Sequence, residues 1–267
     1  MIEKNYDYLK DQIFYAGFGE SLYKELEAKM QENNKEFRLN HQAEYGKDLA
    51  VSTLNFRRSE NSEMYFFNRF DVELKRENLP AVKQSFYMDK GSNFSLKEAY
   101  NLMSGRSVFK TLTNKNSEHN QAWVSLDFRE TDKNGNFRLK QYHQNYGFDL
   151  KETLGKHALK ELSNPDDLRK LTASLEKGNR QAATLVKDGT EKMVFIEANP
   201  QFKSVTMYDS NMARLSARNN LDKGERVGEG KEQTVSSKNK EQQSDISEGD
   251  GPPTGKKQNR KNGMSIS

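Results

Sequence analysis

Two spacings of apolar residues alternate along this chain. Between Ser95 and Tyr142, the residues Leu96, Ala99, Tyr100 and Met103 fall at helical spacing and give one apolar face. Ser95, with Glu98 three positions later, forms a capping-box signature at the start of that face. Gly105 stands where a helix closes, because the closing residue takes a left-handed conformation that glycine reaches without strain. Beyond it the spacing changes: Val108 and Leu112, then Trp123, Val124, Leu126 and Phe128, then Phe137, Leu139 and Tyr142 follow the period of strands. Asn134-Gly135 marks a tight hairpin, since both residues tolerate positive φ. The predicted order is helix, glycine, strand, strand, turn, strand.

The same plan returns further on. Asn164 and Pro165 read as N-cap and first helical residue, Leu168, Leu171 and Leu175 as the apolar stripe, and Gly178 as the stop. Strands follow at Ala183–Val186, Met193–Ile196 and Val205–Tyr208, with a turn at Asp188-Gly189. The two stop glycines are 73 positions apart, longer than the usual solenoid periods. True duplication and chance recurrence of a common plan both stay open. A degenerate third version opens the chain: helices over 4–15 and 20–33, hinged at Ala16-Gly17-Phe18-Gly19, then strands around Phe37/Leu39, Leu49–Phe56 and Met64–Val72. Pro80 is placed in a connector before a short strand from Gln84 to Met88, and Asp149 with Glu152 caps one helix running to about Leu162. Gly155 weakens that helix by about 1 kcal/mol relative to alanine. The expected fold class is α+β, with repeated helix-plus-antiparallel-hairpin units packed side by side. The expected divisions are 1–92, a helical pair plus antiparallel strands; 93–215, two helix-Gly-strand-hairpin units; and 216–267, a disordered polar tail.

Composition sharpens that last division. Apolar residues make up 33% of the 267, below the roughly 45–50% of ordinary domains. Part of the deficit is local to the stretch after residue 215, where too little apolar surface exists to offset the entropy of ordering. The formal net charge of +4 is spread evenly, the tail holding ten Lys/Arg against eight Asp/Glu. A near-neutral body is not the concentrated basic face of a dedicated nucleic-acid binder. The chain has no cysteine, which excludes disulfides and thiol chemistry and fits a reducing compartment. No apolar run of about 18 residues is present, and the opening MIEKNYDYLK has no signal-peptide character. The expectation is a cytoplasmic protein with no membrane association.

Catalytic signatures of the common nucleotide-binding and hydrolase types are missing, and no cofactor is expected. Asp127, Glu130 and Asp132 lie near the Asn134-Gly135 turn, with His143 further along. They read as metal ligands and base of a phosphodiester-cleaving enzyme, or as solvated charges around a turn. The second reading is favoured because Asp and Asn are common in turns. No metal site is assigned, and the sequence identifies no partner that would orient any of the four histidines. The aromatic strands (Tyr65, Phe66, Phe67, Phe70; Trp123, Phe128; Tyr142, Tyr146) are interleaved with Arg57, Arg58, Arg69, Arg129 and Arg138. Such a pattern can stack single-stranded bases, but packing of the sheet core is favoured. Lys256, Lys257, Arg260 and Lys261 could add salt-sensitive phosphate contacts.

Three segments, SLKEAYNLMSGRSVFKTLTNK, AWVSLDFRETDKNGNFRLKQYHQNYG and FIEANPQFKSVTMYDSNMAR, carry a family likeness. They resemble uncharacterised proteins carried on conjugative transposons and mobilisable elements of gut bacteria, where similar modules occur alone or joined to a topoisomerase-like protein. The lysine-rich ending KKQNRKNG is also similar to that group's tails. The resemblance carries no catalytic residues to transfer. It implies an accessory protein of a mobile genetic element, near DNA-handling machinery, whose partner is a protein of that element or a weakly held nucleic acid.

Overall fold

The architecture comes from a computed structural model, which describes residues 3–88, 93–113, 116 and 118–215. The expected tail, 216–267, lies outside the described residues. The fold is α+β: three antiparallel sheets, each a meander in chain order, with helices between them.

The chain begins with helix α1 (Glu3–Ile13), a π-helical turn (Phe14–Phe18) and helix α2 (Tyr23–Gln31). The expected hinge is real: Gly17 has φ 86° and Gly19 φ 70°. The first sheet follows, with strands β1 (Glu36–Tyr45), β2 (Asp48–Arg58), β3 (Tyr65–Arg76) and β4 (Leu79–Tyr87). Burial alternates along each strand, as period-two apolar patterning requires. The register aligns Leu39, Leu54, Phe70 and Phe86 across all four strands as one buried row. Pro80 belongs to β4, not to a connector. β4 is an edge strand, where a residue without an N–H is tolerated.

Helix α3 (Leu96–Met103) opens with the full capping box between Ser95 and Glu98. It feeds the middle sheet, β5 (Val108–Thr113), β6 (His119–Thr131) and β7 (Phe137–His143). Helix α4 (Leu150–Gly155) is shorter than the sequence reading: it stops at Gly155 because the chain beyond it turns to strand pairing. Leu159 bridges Leu185, and the Ala158 carbonyl accepts from Val186 N–H at 2.8 Å. Helix α5 (Pro165–Glu176) is capped by Asn164, whose side chain accepts from two backbone amides. The last sheet comprises β8 (Gln181–Lys187), β9 (Thr190–Asn199), β10 (Ser204–Tyr208) and β11 (Arg214–Leu215).

Gly105 and Gly178 both close their helices at positive φ, 84° and 77°. Each closure has the same bonding: Arg106 N–H returns to Asn101 O (3.0 Å) after α3, and Asn179 N–H to Ser174 O (3.2 Å) after α5. After α2 the left-handed position is held by Asn33, φ 57°. Asparagine tolerates that conformation, so the first segment follows the same helix-to-meander plan without a glycine to announce it.

The two glycine turns pack against one another. Asn101 is fully buried and donates to Lys177 O at 2.6 Å and to Asn179 Oδ1 at 3.0 Å. Arg106 donates to Gly178 O (2.9 Å) and to Asn101 Oδ1 (2.6 Å), placing a cation at the C-terminal end of α5, where the helix dipole favours it. One apolar core joins the first sheet, α1, α2 and α3 to Val108, Val124 and Leu126 of the middle sheet. Packing therefore crosses the expected boundary at 92/93. The opposite face of the middle sheet, with Trp123 and Tyr142, packs into a second core with α4, α5 and the last sheet. Among the described residues no helix is long and apolar enough to cross a membrane.

Candidate functional site

The middle sheet aligns Ser125 with Lys140 and Asp127 with Arg138 across β6 and β7. On the last sheet, Glu197 stands opposite Thr206, and Tyr208 opposite both Phe195 and Arg214. These ends of the two sheets, with the Gly105 turn, enclose a cleft of about 510 Å3. Four cationic side chains line it, Arg106, Arg129, Lys140 and Arg214, against two carboxylates, Asp127 and Glu197.

Both carboxylates are buried and both are already engaged. Asp127, 7% exposed, accepts from Arg129 Nε at 3.1 Å and lies 2.7 Å from Lys140 Nζ. The Arg129 hydrogen bond first, then that of Lys140, holds its carboxyl well below the usual carboxylate range. Glu197, 9% exposed, accepts from Arg180 Nε at 2.6 Å and from the Tyr208 hydroxyl at 3.0 Å. The Arg180 guanidinium also lies over the Tyr208 ring, 4.4 Å from its centre. Burial, reinforced by the charge of Glu197, pushes the Tyr208 hydroxyl above its ordinary value. Asp127 is therefore held as the carboxylate near neutrality. The remaining wall is polar, with Asn199, Gln201 and Thr206, and two aromatics also line the cleft, Phe128 (41% exposed) and Phe202 (68%).

Asp127, Glu130, Asp132 and His143 do not form one site. Glu130 pairs with Arg138 across the hairpin at 3.3 Å. Asp132 accepts from the backbone amides of Asn134 (2.8 Å) and Asn136 (2.9 Å) and shapes the turn itself. That turn docks on the edge of β4: Asn136 Oδ1 accepts from Ser85 N–H at 2.8 Å, and Phe137 N–H donates to Gln84 Oε1 at 2.8 Å. His143 lies opposite Ala122, five positions along β7 from Arg138, or about 17 Å at the rise of a strand. Among the described residues, no three His, Asp or Glu side chains are grouped to hold a metal ion.

The expected basic residues divide likewise. Arg57 pairs with Glu36 (3.6 Å) and Glu60 (3.2 Å), and Arg58 donates to Asn33 Oδ1 (2.5 Å), both on the first sheet. Arg129 lines the cleft and Arg138 faces Glu130 beside it. Lys256, Lys257, Arg260 and Lys261 lie outside the described residues. Of the aromatics, Tyr65, Phe67, Phe70, Trp123 and Tyr142 are buried, whereas Phe66, Phe128 and Tyr146 are exposed.

No family model, curated protein or solved structure matches the chain. The cleft thus has to be judged by its own chemistry. Sequence reasoning missed Lys140, Arg180, Glu197, Tyr208 and Arg214. One signal pointed to the second cluster: Glu197 interrupts the apolar run Met193–Ala198, and a charge between two buried residues needs a partner from another strand.

Proposed function

We propose that this chain is a non-enzymatic contact module whose cleft between the middle and last sheets holds the backbone of single-stranded nucleic acid. The observation that carries the reading is the state of the cleft's charges. Asp127 and Glu197 are each neutralised from within the protein, so the surplus is cationic and no free base is left to act on a bound substrate. Arg129 and Arg214 would meet phosphates, and exposed Phe128 and Phe202 offer ring faces on which bases stack. The resemblance of three segments to proteins of conjugative elements supplies the setting: an accessory factor in the cytoplasm beside DNA-processing machinery.

The test is fluorescence anisotropy of a labelled single-stranded oligonucleotide titrated with the full chain over a salt series. Binding weakens as salt rises, and Arg129→Ala and Arg214→Ala each lower the slope of log K against log salt by about 0.7, one phosphate contact on a single strand. No binding of single strands at low salt, or slopes unchanged in both variants, refutes the reading.

A further inference from the structure

A second recess opens on the same face of the middle sheet, away from the cleft. There the register aligns Phe109, Trp123 and Tyr142 across β5, β6 and β7. The Trp123 ring lies 5.4 Å from Phe109 and 5.4 Å from Phe148, which precedes α4. Trp123 is 5% and Tyr142 9% exposed. The recess encloses about 290 Å3.

Helix α5 contributes Thr172 and Glu176, one turn apart on one face. The Thr172 hydroxyl is committed to Leu168 O at 2.7 Å. The Glu176 carboxylate has no ion pair and no hydrogen bond among the described residues. It is half-buried, and burial pushes it above the ordinary carboxylate range, opposed by the charge of Lys151, which lines the same recess without bonding to it. It is also the last residue of α5, where the helix dipole disfavours a negative charge. By contrast Glu98, at the favourable end of α3, is bonded to Ser95 N–H (2.8 Å) and Lys110 (3.1 Å). Three costs converge on Glu176, and only the charge of Lys151 offsets them in part, with no ion pair or hydrogen bond formed among the described residues.

We propose that this recess binds an organic cation, the ammonium or guanidinium end of a lysine or arginine side chain from a partner protein, with Glu176 as counter-ion and Trp123, Phe109 and Phe148 as the ring surface. Cations bind the faces of aromatic rings, tryptophan best, and a carboxylate among such rings completes the site. An anion is repelled by Glu176, and a neutral apolar group would leave it buried and unpaired. A bare metal ion needs further ligands, and the nearby Asp149 is committed to capping α4 through Glu152 N–H at 2.8 Å.

The chain contains a single tryptophan, so its emission reports on this recess alone. The full chain is titrated with butylammonium chloride, with sodium chloride at equal ionic strength and with 1-pentanol as uncharged analogue. A saturable change in Trp123 emission is expected with butylammonium only, half-complete in the millimolar range. Glu176→Gln weakens it about tenfold and, without ligand, melts no lower than the parent, because an unpaired half-buried carboxylate has been removed. A linear response, an equal response to 1-pentanol, unchanged affinity in Glu176→Gln, or a lower melting temperature of that variant each overturns the proposal. The oligonucleotide titration of the cleft reads a ligand of opposite charge, so either reading fails independently of the other.

Discussion

Gly178→Ala is the sharpest probe of how the two glycine turns meet. Alanine at φ 77° carries a left-handed penalty of about 1–2 kcal/mol. Its Cβ would lie 2.8 Å from Ser107 O, 2.9 Å from Val108 Cγ2 and 3.1 Å from Asn101 Cβ. The first of these is backbone and the last is locked by its hydrogen bonds, so the neighbours cannot simply rotate away. Overpacking of that kind adds about 1–3 kcal/mol, for a total of about 2–5 kcal/mol. Gly105→Ala provides the control. Its φ is 84°, but nothing stands within 4 Å of an added Cβ. It should cost about 1–2 kcal/mol at most, reduced by the lower entropy of the unfolded alanine chain. Urea unfolding followed by far-UV circular dichroism measures both, comparing midpoints at constant m. If Gly178→Ala costs no more than Gly105→Ala, the close packing of the two turns is wrong.

Other outcomes follow from the buried polar groups. Asn101→Ala removes the donor to Lys177 O and the acceptor of Arg106 and leaves both partners unsatisfied; it should cost about 2–4 kcal/mol in the same unfolding assay, and a loss under about 1 kcal/mol would refute its linking role. Asp127 has a folded-state pKa below its ordinary 3.8, so its contribution is present above about pH 5 and is lost as pH falls through the unfolded value toward the lower folded one. The unfolding midpoint of the parent should therefore drop more steeply between about pH 5 and pH 2 than that of Asp127→Asn, and parallel curves would remove Asp127 as a source of that dependence.

How legible the fold was depends on the range of the interaction. Ser95 with Glu98, Asn164 with Pro165, Asn134 with Gly135 and the two stop glycines all act within a few residues, and each appears where local chemistry places it. Pro80 was misread for the complementary reason, and the close of α2 carries no glycine to mark it. Asparagine closes α2 without looking like a stop, and only the sheet order shows that β4 is an edge open to proline. The α4 region failed because pairing of Ala158 and Leu159 with β8, invisible in the local sequence, overrides a weak helix. The candidate acids were seen as a group because they are neighbours in sequence. Along a strand and its hairpin, however, side chains alternate faces and advance about 3.3 Å per residue, so proximity in sequence does not make a site.

What the sequence determined by itself, then, was the kind of local structure: where helices start and stop, where hairpins turn, and that the class is α+β. Only the tertiary structure decided that Trp123 and Val124 serve two different cores, that Gly178 is crowded while Gly105 is free, and that Arg180 neutralises Glu197 while Glu176 forms no ion pair among the described residues. Caps and turns are satisfied by atoms two to four residues away. A buried charge is satisfied, or left wanting, by whatever strand or helix the register brings beside it.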